Sequence, residues 1–147
     1  MSENVSQRHA NRQALVQFLY MIEMNPPEEM TDSIRMFFES REHPRVWYGY
    51  AEELLAGILD ELDSIDARIG ELAKNWEFGR IARTDLAILR LGIYEILHRE
   101  DVPPVVVIDE AVELSREFST EKSNTFINGL LDRIMQEVER PNRERLF

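Results

Sequence analysis

Apolar residues recur at intervals of three and four along almost the whole of this 147-residue chain, and every convincing periodicity in it is helical. Helices are therefore the elements it must pack. Ala14, Leu15, Phe18, Leu19 and Ile22 form one face of a first helix that has to stop before Pro26-Pro27. Met30, Ile34, Phe37 and Phe38 mark a shorter second helix. His43-Pro44 closes it and predicts a third helix opening at the proline, with Trp47, Ala51, Leu54, Leu55, Ile58 and Leu62 as its buried stripe. Asp63-Ser64 predicts a stop and a new N-cap, after which Ile65, Ile69, Leu72 and Trp76 carry a fourth helix to an end between Asn75 and Gly79.

Thr84 fits the cap of a fifth helix in which Leu86, Leu89, Ile93, Ile96 and Leu97 line one side and Ile88 and Leu91 another. Two apolar sides predict a central position. Asp101-Val102-Pro103-Pro104 breaks it, and Val107, Ala111, Leu114 and Phe118 follow at helical spacing. The run Val105-Val106-Val107-Ile108 has a strand-like composition but no partner strand, so it is read as helix. Ser123 suits the cap of a last helix whose stripe is Phe126, Ile127, Leu130, Leu131, Ile134, Met135 and Val138. The expected fold is all-α, about seven helices in one domain over residues 1–147, mobile at about 1–4 and 141–147.

A formal charge of -11 sets a field that repels polyanions, so any nucleic-acid contact has to be local. Only Lys74 and Lys122 are lysines, and the other basic residues are arginines, whose forked donors suit phosphate. Segment 51–75 carries seven acids against two bases, read as a solvated face or a docking surface for a basic partner. The absence of cysteine removes disulfides, thiolate metal sites and a cysteine nucleophile. No apolar run approaches the roughly 20 residues that span a bilayer. Met1 to Ala10 lacks the basic-then-apolar pattern of a secretory signal, so the expected location is the cytoplasm.

Catalytic constellations are not found. Glu95 and His98 form a single E-x-x-H pair where a di-metal helical site needs two, so no metal and no cofactor is expected. Neither a nucleophile elbow nor a phosphate-binding glycine loop is present, and the chain reads as a non-enzyme. Arg8, His9 and Arg12 fall within just over one helical turn and predict a small positive edge near a helix N-terminus.

The second half resembles the NusB family, through R-I at 80–81, D-L-A-I-L-R-L-G-I-Y-E from Asp85 to Glu95, D-V-P at 101–103, I-D-E-A-V-E-L from Ile108 to Leu114 and S-x-x-F-I-N-G-L-L-D from Ser123 to Asp132. Arg12 and Q-F-L-Y from Gln17 to Tyr20 extend the likeness toward the N-terminus. The resemblance implies two packed helical bundles and a non-enzymatic transcription antitermination factor. Such a factor binds boxA-type RNA as a heterodimer with NusE, a small-subunit ribosomal protein. It supports ribosomal RNA transcription, reaching the RNA polymerase antitermination complex indirectly.

Carried over by position, the resemblance makes Arg8, His9, Arg12 and Lys122 RNA-binding residues and Asp85 a contributor to the NusE face. Gln7, Ala10 and Asn11 interrupt the arginine cluster usual in the family, which weakens the expected phosphate contacts. The alternative is a NusB-fold protein-interaction module, in ribosome assembly or regulation, that has lost direct RNA binding. A homodimer covering the same face is compatible with either reading. Tyr20 is expected to pack, Gly92 and Gly129 to allow close helix approach, and Asn128 to satisfy buried backbone groups.

Overall fold

The computed structural model describes residues 4–74 and 77–138. The expectations for Trp76, for the first three residues and for 141–147 lie outside the described residues. Seven α-helices follow in order: α1 (Val5–Met24), α2 (Met30–Glu39), α3 (Gly49–Asp60), α4 (Leu62–Leu72), α5 (Arg83–His98), α6 (Pro104–Phe118) and α7 (Glu121–Met135). There is no strand among the described residues. None of their helices is long and apolar enough to cross a membrane.

The helix α5 sits at the centre, as its two apolar sides require. Every residue from Asp85 to Ile93 is buried, and the helix packs against α1, α3, α4, α6 and α7. Around it the helices form two groups. In the first, Phe18 of α1 meets Phe37 and Phe38 of α2 at ring-centroid distances of 5.2 and 6.1 Å. Phe38 in turn meets Tyr48 at 5.7 Å, and α1 packs on α3. In the second, α6 and α7 pack on each other and on α5, and α4 touches α5 and α7. An ion-pair hub joins the groups: Arg90, 7% exposed, donates to both carboxylate oxygens of Asp66 on α4 at 2.8 Å and to Glu23 on α1 at 2.7 Å. Asp66 is thus held in place, not part of a solvated face.

Several local expectations need correction. Pro44 does not begin α3; it leads into a 3-10 turn over Arg45–Tyr48, and α3 starts at Gly49. The break between α3 and α4 falls at Glu61, so Leu62 opens α4 and Asp63-Ser64 lies inside it. Thr84 is within α5, whose first residue is Arg83. Ser123 is within α7, whose N-cap position is taken by Thr120, and its hydroxyl donates to Asp85. The segment Val105–Ile108 is helical, with Pro104 at the first turn where its missing N–H costs nothing.

A Cβ on Gly92 would lie 2.8 Å from a Leu131 methyl, so this glycine does permit the close approach of α5 and α7. Gly129 faces open space and carries no such role. Gly57 does: a Cβ there would overlap the Tyr94 hydroxyl, so the tyrosine lies directly on the backbone of α3. Asn128 is exposed, and Tyr20 is exposed rather than packed.

Candidate nucleic-acid interface

The first half of α1 is held open at its start by Asn4, whose side chain accepts the Gln7 N–H at 2.7 Å. Positions 11 and 12 lie one turn before Leu15 and so continue the apolar stripe toward the N-terminus. Both are carried inward. Arg12 is only 4% exposed. Its Nε and Nη2 donate to the two oxygens of Glu95 at 2.9 and 2.8 Å, and Nη1 donates to Glu110 at 3.0 Å. Glu95 is 1% exposed and also accepts the Tyr50 hydroxyl at 2.5 Å. Burial and the Glu95 charge raise the Tyr50 phenol, so it stays protonated and donates. The phosphate contact expected of Arg12 is therefore replaced by a buried ion pair that ties α1 to α5 and α6.

Asn11, at 0% exposure, does the corresponding work for the backbone. Its amide donates to the Gln7 and Trp47 carbonyls at 2.9 and 3.2 Å, and its oxygen accepts the Ala51 N–H at 2.9 Å. It secures the 3-10 turn and the start of α3, a task that no arginine at this position could perform.

One turn earlier, Arg8 and His9 reach the surface. The Arg8 guanidinium lies 4.1 Å from the centroid of the Tyr50 ring and donates to Asp101 at 3.2 Å. Arg99 grips the same carboxylate with two donors, at 2.9 and 3.0 Å, and lies 4.9 Å from the Tyr50 centroid. The Arg99 hydrogen bonds, reinforced by Arg8, hold the Asp101 carboxyl at about 2. His9 is flanked on both ring nitrogens, by Glu110 at 3.1 Å and Glu117 at 2.8 Å. A neutral imidazole has one N–H and an imidazolium two, so two carboxylate acceptors select the charged form.

Burial disfavours that charge, but the hydrogen bonds and charges of Glu110 and Glu117 outweigh it, and the His9 pKa is raised. A raised folded-state value contributes stability that is complete below the unfolded pKa of about 6.5 and is lost as pH rises through the folded value. Thermal unfolding should accordingly show the midpoint falling as pH rises above about 6.5. His9→Gln should remove that slope; an unchanged slope in the variant would assign it elsewhere.

Lys122 and Asp85 belong to another place. With Arg80, Thr120, Ser123 and Phe126 they line a cavity of about 270 Å³ at the start of α7. Lys122 is exposed at its rim. Asp85 occupies the first turn of α5 and is buried, its two oxygens accepting the Ser119 and Ser123 hydroxyls at 2.6 and 2.7 Å. Its carboxylate thus fixes the α6–α7 connection. The paired residues of the E-x-x-H motif diverge: Glu95 turns to Arg12, while exposed His98 lies 4.8 Å from the Tyr94 ring. No cluster of potential metal ligands occurs among the described residues.

Sequence reasoning missed the roles of Glu95, Glu110, Glu117, Tyr50 and Asn11, meeting Glu95 only as half of an E-x-x-H pair and Asn11 only as a gap in the arginine cluster. A signal existed for two of them. Glu95 extends the second apolar stripe of α5, Ile88 and Leu91, by one turn, and Asn11 extends that of α1. A charged or amide side chain on an apolar stripe implies a buried partner.

Fold and site together define an all-helical protein whose polar face is a lattice of paired charges, built across α1, α5 and α6. The chain belongs to the NusB family, whose model matches residues 9–136. It is 38% identical over 133 residues to the transcription antitermination protein NusB of Methylacidiphilum infernorum, covering 90% of this chain and 93% of that protein. The NusB of Sorangium cellulosum is 35% identical over 138 residues, covering 94% and 98%. Among solved structures, T. maritima NusB aligns with a TM-score of 0.81 at 31% identity, covering 93% of this chain and 94% of that one. A structure of antitermination factors NusB and NusE in complex with dsRNA aligns with a TM-score of 0.79 at 22% identity, a likeness of fold, covering 92% of this chain and 100% of that one.

Proposed function

We propose that this chain is a cytoplasmic, non-enzymatic transcription antitermination factor that binds boxA-type RNA together with the ribosomal protein NusE. The observation that carries this reading is the family match over residues 9–136, joined by relatives named as antitermination proteins that the chain covers almost end to end. Arg8 and His9 on α1 and Lys122 at the start of α7 are the RNA-facing groups. Arg12 and Asp85 act from inside, the first by holding α1 in place and the second by shaping the cavity on the NusE side. Supporting this division, Lys122 is exposed and Arg8 half-buried, whereas Arg12 and Asp85 are buried.

Fluorescence anisotropy with boxA-like and scrambled RNA, with and without NusE, at two salt concentrations, tests the proposal. Selective binding that strengthens with NusE is the expected result. Arg8→Ala and Lys122→Ala should each weaken RNA binding by about 3- to 10-fold, the range of one net hydrogen bond, and flatten the salt dependence by about 0.7 per lost phosphate contact. Retained NusE binding with no RNA binding would instead favour the protein-interaction module.

A further inference from the structure

The cations on the RNA-facing edge of α1 are already engaged by carboxylates from elsewhere in the chain. Asp101 takes Arg8 and Arg99, while Glu117 takes His9 and, at 2.5 Å, the Gln13 amide. We propose that Glu117 and Asp101 set the RNA selectivity of this face by occupying, in the free protein, the donors that an RNA phosphate would take. The inference rests on the RNA-binding function proposed above and deepens it.

Three observations carry it. First, of the four acids that engage α1, these two are the more accessible, their side chains 31% and 49% exposed, against 1% for Glu95 and 19% for Glu110. A phosphate can therefore displace them without opening the core. Second, among the described residues the acids offset the cations: Arg8, His9, Arg12 and Arg99 face five carboxylates, Glu95, Glu110, Glu117, Asp101 and Glu53, the last 2.9 Å from Arg99. Such a patch exerts little attraction on a distant polyanion. Third, carboxylate and phosphate oxygens use the same donors with similar geometry, so replacing one by the other exchanges like for like.

Backbone contacts alone then gain little, because each phosphate must first evict a carboxylate. An RNA that also offers base contacts, or arrives with NusE, gains what the exchange does not. The carboxylates thereby suppress the sequence-independent part of binding, which phosphates otherwise dominate.

The test compares Glu117→Gln with Glu113→Gln in the full chain, with NusE present and absent, using boxA-like and scrambled RNA at two salt concentrations. Glu113 is an exposed α6 acid paired with Arg116, so its variant changes net charge equally but leaves the α1 donors engaged. Glu117→Gln should tighten binding to scrambled RNA by about 2- to 5-fold, the range of an exposed ion pair. A phosphate on the vacated His9 ring N–H takes the place of Glu117 as second acceptor and keeps the imidazolium charged, so the salt dependence should steepen by about 0.7 for one added contact. BoxA-like RNA should gain less, so the ratio between the two falls. Asp101→Asn should act in the same direction at Arg8.

Equal effects of Glu117→Gln and Glu113→Gln, or unchanged affinity and salt dependence in both Glu117→Gln and Asp101→Asn, would overturn the inference while leaving the proposed function intact. Wild type and variants alike failing to bind RNA, even with NusE, would overturn that function and this inference with it. Circular dichroism of each variant checks that the fold is retained.

Discussion

Replacing Arg12 by alanine is expected to destabilise the protein by about 3–5 kcal/mol, because it leaves a buried carboxylate without its counter-charge. The two donors to Glu95 and the one to Glu110 are lost together, and at 1% exposure Glu95 cannot recover them from water. Urea denaturation followed by the helical signal gives the magnitude. The double variant Arg12→Met, Glu95→Met removes both charges at similar volume and should lose much less than the two single variants combined. RNA binding separates this interior role from a direct one. In urea-free buffer, with Arg12→Ala shown to be folded by its helical signal, its salt dependence should equal that of wild type. A fully stable Arg12→Ala with a flatter salt dependence would place the guanidinium against RNA.

The second large effect is at Asn11. Asn11→Ala leaves the Ala51 N–H without its partner, while the Trp47 carbonyl keeps the Gln7 amide, and should cost about 1–3 kcal/mol, the penalty of one unsatisfied buried group. Hydrogen exchange at the Ala51 amide is the direct readout, with protection lost in the variant. Asn11→Arg is the more telling substitution, since judged by sequence alone it restores the arginine-rich character of the family. In a position with 0% exposure a longer, charged side chain has neither room nor a counter-charge. It should destabilise more than alanine and leave RNA affinity no higher. Higher RNA affinity with retained stability would show that α1 presents position 11 to solvent.

The fold was legible because its signal is periodic and redundant. Each of the seven helices carries three or more apolar residues on one face, and the double stripe of α5 identified the central helix without any contact information. Helix starts were less legible. Thr84 and Ser123 have the chemistry of caps, but a hydroxyl is recruited by whichever partner lies nearest in three dimensions. For Ser123 that partner is Asp85, 38 residues away in sequence.

The site was legible as a list of cations but not as a surface. Arg8 and Arg12 look equivalent in the sequence. They differ because position 12 lies on the same face as Leu15 and Leu19, whereas position 8 lies beyond the end of that stripe, over the Tyr50 ring. The carboxylates that neutralise the edge were illegible for a different reason. Glu110 and Glu117 lie about a hundred residues from His9, and no local pattern links them.

The ion pairs of Arg12 also have a consequence during synthesis. The first helix leaves the ribosome early, yet its arginine depends on Tyr50, Glu95 and Glu110, contributed by α3, α5 and α6. Until residue 110 has emerged, a docked α1 would bury a cation with its partners incomplete. Docking of α1 is thereby favoured only once the sixth helix is free to supply Glu110.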